Sequence, residues 1–161
     1  MPRKSAGLLP FRKTPAGWEV LLVHPGGPFW ASKDKAAWSI PKGELEPDED
    51  GLAAAKREFR EELGIEPVGE TIPLEPVRQP GGKLVLAWAL RSDFDPSTFI
   101  SNTFSMEWPP RSGKQKSFPE VDKAEWFSLA VAREKILKGQ APLLDQLLAK
   151  LPTNDDETVG D

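Results

Sequence analysis

Apolar residues recur along this chain with two different periods, and the switches between them mark out its elements. Ser5 to Phe11 and Trp18 to His24 are short, mostly apolar, β-leaning runs, and Thr14-Pro15-Ala16-Gly17 between them carries the residues of a hairpin turn. His24-Pro25-Gly26-Gly27-Pro28 breaks the second run. The loop from there to Trp38 holds Phe29, Trp30, Lys33 and Lys35, an aromatic and basic set of the kind that surface loops use for binding. Leu52, Ala55, Phe59 and Leu63 then repeat at helical spacing, with Asp48 placed to cap the helix, Glu49 and Asp50 near its positive end, and Gly64 to stop it.

Strand character returns in Lys83 to Leu90, which predicts a central strand. Asn102 to Trp108 alternates Phe104, Met106 and Trp108 on one face, Pro109-Pro110 ends it, and Arg111 to Lys116 reads as a basic loop. A short strand is expected over Ala124 to Phe127 and a helix over Leu129 to Leu137. A last helix, Pro142 to Leu151, has Pro142 in its first turn and Leu143, Leu144, Leu147, Leu148 and Leu151 as its packing stripe. With no internal repeat and no long linker, residues 1–151 are expected to form one domain, and the polar, acidic segment 152–161 a disordered tail.

Composition narrows the function classes. The chain of 161 residues has no cysteine, which removes disulfides, thiol nucleophiles and Cys-based zinc sites and suits a reducing compartment. No apolar leader follows Met1-Pro2-Arg3-Lys4 and no stretch approaches a membrane span, so the expected location is the cytoplasm. The net charge of -4 comes from Asp155, Asp156, Glu157 and Asp161 in the tail, and the rest of the chain is balanced. A broad surface for nucleic acid or an anionic membrane is therefore not expected.

The most informative segment is GELEPDEDGLAAAKREFREELGI, residues 43–65. Glu58, Glu61 and Glu62 stand at i, i+3 and i+4, so a helix turns all three toward one volume, where like charges repel. An Arg/Glu-rich helix is in general a solvated face, but carboxylates this crowded call for a positive partner, and a hard divalent cation with oxygen ligands is the simplest one.

The wider spacing decides between these readings. Gly43, Glu49, Arg57-Glu58, Phe59, Glu61-Glu62, Gly64 and Ile65 match every specified position of the signature of the Nudix hydrolases. A chance match of that length has odds on the order of one in ten million from average residue usage. The chain thus resembles that family over most of residues 5–150. The resemblance implies an α+β fold, an α/β/α sandwich in which a mixed central sheet is flanked by helices. It also implies hydrolysis of a phosphoanhydride bond in a nucleoside diphosphate derivative by water, dependent on Mg²⁺, with Mn²⁺ as a substitute. Glu58 and Glu62 are the first choices as metal ligands, with Glu61 as a third ligand or as the group that handles the water proton. Which of the glutamates is the base stays open. The resemblance also lets the Gly43 carbonyl reach a metal and pairs Arg57 with Glu49 to hold the loop against the helix.

A distant carboxylate is expected as well. Glu120 lies six residues before Trp126 at the start of the last strand, a spacing at which many Nudix enzymes carry a catalytic or metal-facing glutamate; Asp122 and Glu125 are alternatives. Trp38-Ser39-Ile40-Pro41-Lys42-Gly43 resembles the lead-in found in family members acting on diadenosine polyphosphates and diphosphoinositol polyphosphates. This points to a small phosphorylated substrate, in first place a nucleoside or dinucleoside polyphosphate. Nucleotide sugars, inositol pyrophosphates, nucleoside triphosphates and RNA 5′ ends are alternatives, and a non-catalytic nucleotide-binding module is disfavoured because every carboxylate of the signature is kept. Lys42 is the candidate phosphate contact next to the site, Trp38 and Trp30 are candidate substrate contacts, and Arg111, Lys114 and Lys116 are candidates for further phosphates. One departure stands out. The chain has no tyrosine, the residue with which those hydrolases often clamp adenine, so Trp30, Trp108 or Phe118 would have to replace it. His24, the only histidine, is read as structural, and a monomer and a homodimer are both open.

Overall fold

Strand β1, Lys4–Thr14, is the strand on which the others are laid down. Its interior is buried on both faces, so neighbouring residues serve two different cores. Leu9 and Phe11 point to one side with Val20 and Leu22 of β2, Gly17–Pro25, whereas Ala6 and Leu8 point to the other with Leu21 and Val23. The two strands form the expected antiparallel hairpin, with Thr14 opposite Gly17 at its turn. The computed structural model describes residues 4–151, so the expected tail lies outside the described residues.

The sheet is mixed. β6, Leu84–Arg91, runs parallel to β1, while β9, Val121–Ser128, runs antiparallel to β2. β4, Glu70–Pro73, lies on the far side of β6, giving the order β4-β6-β1-β2-β9. Two short strands complete it: β3, Lys42–Glu44, on β1, and β5, Val77–Arg78, on β6. Helix α1, Gly51–Leu63, covers one face through Ala54, Ala55, Phe59 and Leu63. Helices α2, Leu129–Lys135, and α3, Ala141–Lys150, cover the other through Ala132, Leu143, Leu144 and Leu147. The result is the sandwich that the family resemblance implies. No helix among the described residues is long and apolar enough to cross a membrane.

Two differences from the sequence reading have plain causes. Asp50, not Asp48, caps α1: its carboxylate accepts the Ala53 N–H at 3.0 Å, and Asp48 instead takes a left-handed turn conformation at φ 64°. The segment after Trp108 is no simple loop. Thr103–Glu107 (β7) and Gln115–Pro119 (β8) pair as a separate antiparallel hairpin, with Arg111 at its tip. β8 went unseen because Gln115, Lys116 and Ser117 are exposed, which leaves its sequence without apolar alternation.

Phe59 is fully buried and stacks edge-on against Phe94, so it anchors α1 to the sheet. Phe59→Ala is expected to lower the unfolding free energy by about 3–5 kcal/mol in urea titrations, since the cavity it leaves is walled by rigid strands. A loss below about 1 kcal/mol would mean that α1 is held some other way.

Candidate active site

Helix α1 delivers its acids to the edge where β3 passes. Gly64, at φ 64°, ends the helix in the left-handed conformation and returns its N–H to the Arg60 carbonyl. The apolar stripe fixes the helix rotation, which turns Glu58, Glu61 and Glu62 to the flank beside Lys42 and Gly43. A Cβ on Gly43 would overlap the Glu58 carboxylate where it stands, so a side chain there would force Glu58 to swing aside. Glu62 Oε2 accepts the backbone N–H of Lys42 at 3.1 Å.

Arg57 is the hub of the cluster. Its Nε and Nη2 donate to the two oxygens of Glu49 at 2.8 and 2.9 Å, a bidentate pair, and Nη2 also reaches the Glu44 carbonyl at 3.2 Å. Its Nη1 donates to Glu58 at 2.9 Å and to both oxygens of Glu61 at 3.3 Å. Glu49 closes the loop on itself by accepting the Glu46 N–H at 3.0 Å. Arg57 and that N–H hold the Glu49 carboxyl down at about 2.

Backbone bonds bring Glu120 to the same place. Its N–H donates to the Asn102 carbonyl at 2.8 Å, and the Asn102 N–H donates to the Glu61 carbonyl at 3.0 Å. Burial raises the carboxyls of Glu58 and Glu120 above the ordinary range and pushes Glu62 up to about 8, although Lys42 pulls it back. Repulsion adds to this, since Glu58 feels Glu61 and Glu120, Glu62 feels Glu58 and Glu120, and Glu120 feels Glu61. Burial lowers the Lys42 ammonium, and so does Lys83. Neither Asp122 nor Glu125 is among the charges that shift these carboxyls. Asp122 is engaged elsewhere, by His24 Nδ1 at 2.8 Å.

The four glutamates share one electrostatic site, but their side chains are not gathered as cation ligands. Among the described residues no group of three or more His, Asp or Glu side chains is arranged to hold a metal ion. Arg57 Nη1 stands between Glu58 and Glu61, and Glu62 turns to Lys42. The donor chemistry nonetheless fits a hard divalent cation, since every candidate atom is a carboxylate or backbone oxygen. Burial, with a smaller contribution from like charges, raises these carboxyls.

A cavity of about 200 Å³ opens beside the cluster. Val23, Ile40, Val121 and Leu137 give it apolar walls, Trp30 adds an aromatic one, and Lys42, Glu62 and Glu120 supply charge. Sequence reading missed the aliphatic walls, because they come from two strands, the lead-in before β3 and the link after α2, and look like any core residue. Trp38 does not face this cavity. It is 2% exposed, donates from Nε1 to Asp34 at 2.8 Å and packs edge-on to His24 and Phe127. The lead-in run pairs back onto β2 through Val23 and Ser39, which carries Trp38 into the core and removes it from the substrate contacts. Arg111, Lys114 and Lys116 are exposed on the β7–β8 hairpin and do not line the cavity.

Comparison with known proteins gives the family and the fold. The family model described as the NUDIX domain matches residues 1–147. The chain belongs to this family and is a pyrophosphohydrolase by that membership. Among solved structures, the NUDIX domain of Shewanella oneidensis NrtR, complexed with ADP ribose, is 17% identical with a TM-score of 0.67, over 94% of this chain and 90% of that one. A C. elegans Ap4A hydrolase is 26% identical with a TM-score of 0.60, over 92% and 96%. The E. coli ORF135 protein is 22% identical with a TM-score of 0.58, over 92% and 91%. No curated protein sequence gives a significant match.

The Arg57–Glu49 clamp makes a prediction about pH. Its depressed carboxyl contributes stability that is complete above the ordinary value of 4.5 and is lost as pH falls toward about 2. Glu49→Gln should therefore melt below wild type at neutral pH, with the gap closing on acidification through that window. A gap that stays constant down to pH 2 would show that the charge of Glu49 is not what holds the loop.

Proposed function

We propose that this protein is a Mg²⁺-dependent hydrolase of nucleoside polyphosphates, with a dinucleoside polyphosphate such as diadenosine tetraphosphate as its favoured substrate. The observation that carries the reading is that Glu62 and Glu120 line one largely apolar cavity with Lys42, while Glu58 and Glu61 stand in the same electrostatic cluster beside it. Glu58, Glu61 and Glu62, with the Gly43 carbonyl, are the residues to hold the cation. When bound, it supplies charge neutralisation for the phosphate oxygens and a lower pKa for water. Mn²⁺ serves as a substitute. Lys42 sets a compact positive charge against a neighbouring phosphate. Glu58, Glu61 and Glu120 are the candidates to take the water proton, and the upward pull of burial on Glu120, which is not among the residues set to hold the cation, moves it toward the range a general base needs. The aliphatic walls and Trp30 shelter a nucleoside from solvent, while Arg57 and Glu49 keep the loop in place.

The similarity to the C. elegans Ap4A hydrolase supports the dinucleoside form. A nucleotide sugar is the second reading, since the Shewanella domain was solved with ADP ribose and an apolar cavity beside carboxylates suits either ligand. A chain without cysteine is at home in a reducing compartment, and we place its work in the cytoplasm.

A panel of dinucleoside polyphosphates, nucleoside triphosphates and ADP ribose, assayed with Mg²⁺ and then Mn²⁺, tests the substrate class. The expected result is the highest kcat/KM on a dinucleoside polyphosphate; preference for ADP ribose would move the assignment to nucleotide sugars. On the preferred substrate, Glu61→Gln and Glu62→Gln should each lower kcat at least about a hundredfold, as for groups that act in the transition state. Near wild-type turnover in Glu62→Gln would refute the site.

A further inference from the structure

The β7–β8 hairpin stands outside the main sheet, and its register puts a particular set of side chains on one face. Phe104 is opposite Phe118 and Met106 opposite Lys116, and the Trp108 N–H bonds to the Lys114 carbonyl at 2.9 Å one step further out. Alternation therefore places Trp108, Lys114 and Lys116 on the face that carries Phe104 and Phe118. This face leans on the loop after β2. A Cβ on Gly27 would meet the Phe104 ring at 2.9 Å, and Trp108 meets Phe29 edge-on at 5.8 Å between centroids.

The pair is poorly covered for its chemistry. Phe29 is 62% exposed, and neither Lys114 nor Lys116 takes part in an ion pair among the described residues. Both supports of the platform lead back to the cavity: Trp30, next to Phe29, lines it, and Glu120, which follows β8, lines it as well. From Thr103 to Glu107 the hairpin extends about 14 Å at the usual rise per strand residue. The aromatic pair thus lies at the outer end of a wall that starts at the carboxylates. An exposed Phe29 beside a half-buried Trp108, with two ammonium groups on the same face, offers what a nucleotide needs, a stacking surface and cations for phosphate. Neither Phe29 nor Trp108 lines the cavity, so a ligand on this face binds beyond it.

We propose that Phe29 and Trp108, with Lys114 and Lys116, form a distal subsite that binds the second nucleoside and outer phosphates of a dinucleoside polyphosphate. This rests on the polyphosphate hydrolase reading of the cavity. It assigns the hairpin a role in selecting two-nucleoside substrates over one-nucleoside substrates, with no part in bond cleavage.

The test compares kcat/KM on diadenosine tetraphosphate and on adenosine tetraphosphate, which has the same phosphates without the second nucleoside. Wild type is expected to favour the former. Trp108→Ala should lower kcat/KM on diadenosine tetraphosphate roughly tenfold, through KM, and leave adenosine tetraphosphate within about twofold. Trp108→Phe should restore most of the loss, and Lys114→Glu with Lys116→Glu should lower kcat/KM on both substrates, since adenosine tetraphosphate carries the same outer phosphates. Equal effects of Trp108→Ala on both substrates, or none on either, would overturn the subsite while leaving the hydrolase assignment intact. Failure of wild type to cleave any phosphoanhydride would instead overturn the assignment itself, and the subsite with it.

Discussion

Four carboxylates held against one end of a helix repel one another, and much of the structure around α1 answers that repulsion. Arg57 supplies the largest share of the compensation. Its guanidinium spans Glu49, Glu58 and Glu61 at once, which a lysine ammonium on a flexible stem could not do with the same geometry. Glu62 is satisfied differently, by the backbone N–H and the ammonium of Lys42. What is left over is visible as raised carboxyls on Glu58, Glu62 and Glu120, the signature of charge gathered in a partly buried place. A site organised only for stability would be expected to pair or remove these charges, because uncompensated buried carboxylates destabilise a fold.

Holding the cluster together requires a rigid frame, and the two-faced sheet provides it. β1 is buried along most of its length and receives β3 at one edge, so Lys42 and Gly43 are pinned by strand pairing opposite Gly7 and Ala6. Gly7 makes this close approach possible, because a Cβ there would collide with Pro41 and Lys42. On the opposite side, buried His24 joins the aromatic loop to β9. Its two ring nitrogens face the Asp122 carboxylate at 2.8 Å and the Lys33 carbonyl at 2.6 Å, which ties the Trp30 wall to the strand that begins just after Glu120. The structural role expected of this histidine agrees with its 1% exposure.

The parts of this arrangement that were legible in the sequence are those in which one local segment carries all the information. The spacing from Gly43 to Ile65 announced the helix and its acids, the family resemblance it carries implied the Arg57–Glu49 contact, and the apolar runs of β1, β2 and β6 announced the central sheet. What could not be read depends on contacts between distant segments. Trp38 looked like a binding residue beside Lys42, but the pairing of Ser39 with Val23 turns its ring inward. The cavity walls combine Val23, Ile40, Val121 and Leu137, whose meeting is a property of the sheet order. The cap went to Asp50 because the first helical N–H groups set which acid can reach them, and two acids two residues apart are equivalent on paper. Arg57 reaching both Glu58 and Glu61 was also unforeseen, since sequence spacing gives neighbourhood on a helix but not the rotamer that chooses among neighbours.

Glu58, Glu61 and Glu62 are proposed to hold a divalent cation, even though Arg57 bridges two of them. Titration of the protein with Mn²⁺, followed by the electron paramagnetic resonance of the free ion, tests this without reference to any substrate. The expected result is loss of the free-ion signal on addition of wild-type protein and at least tenfold weaker binding by Glu62→Gln. Equal binding by the two proteins, or none by wild type, would contradict the account.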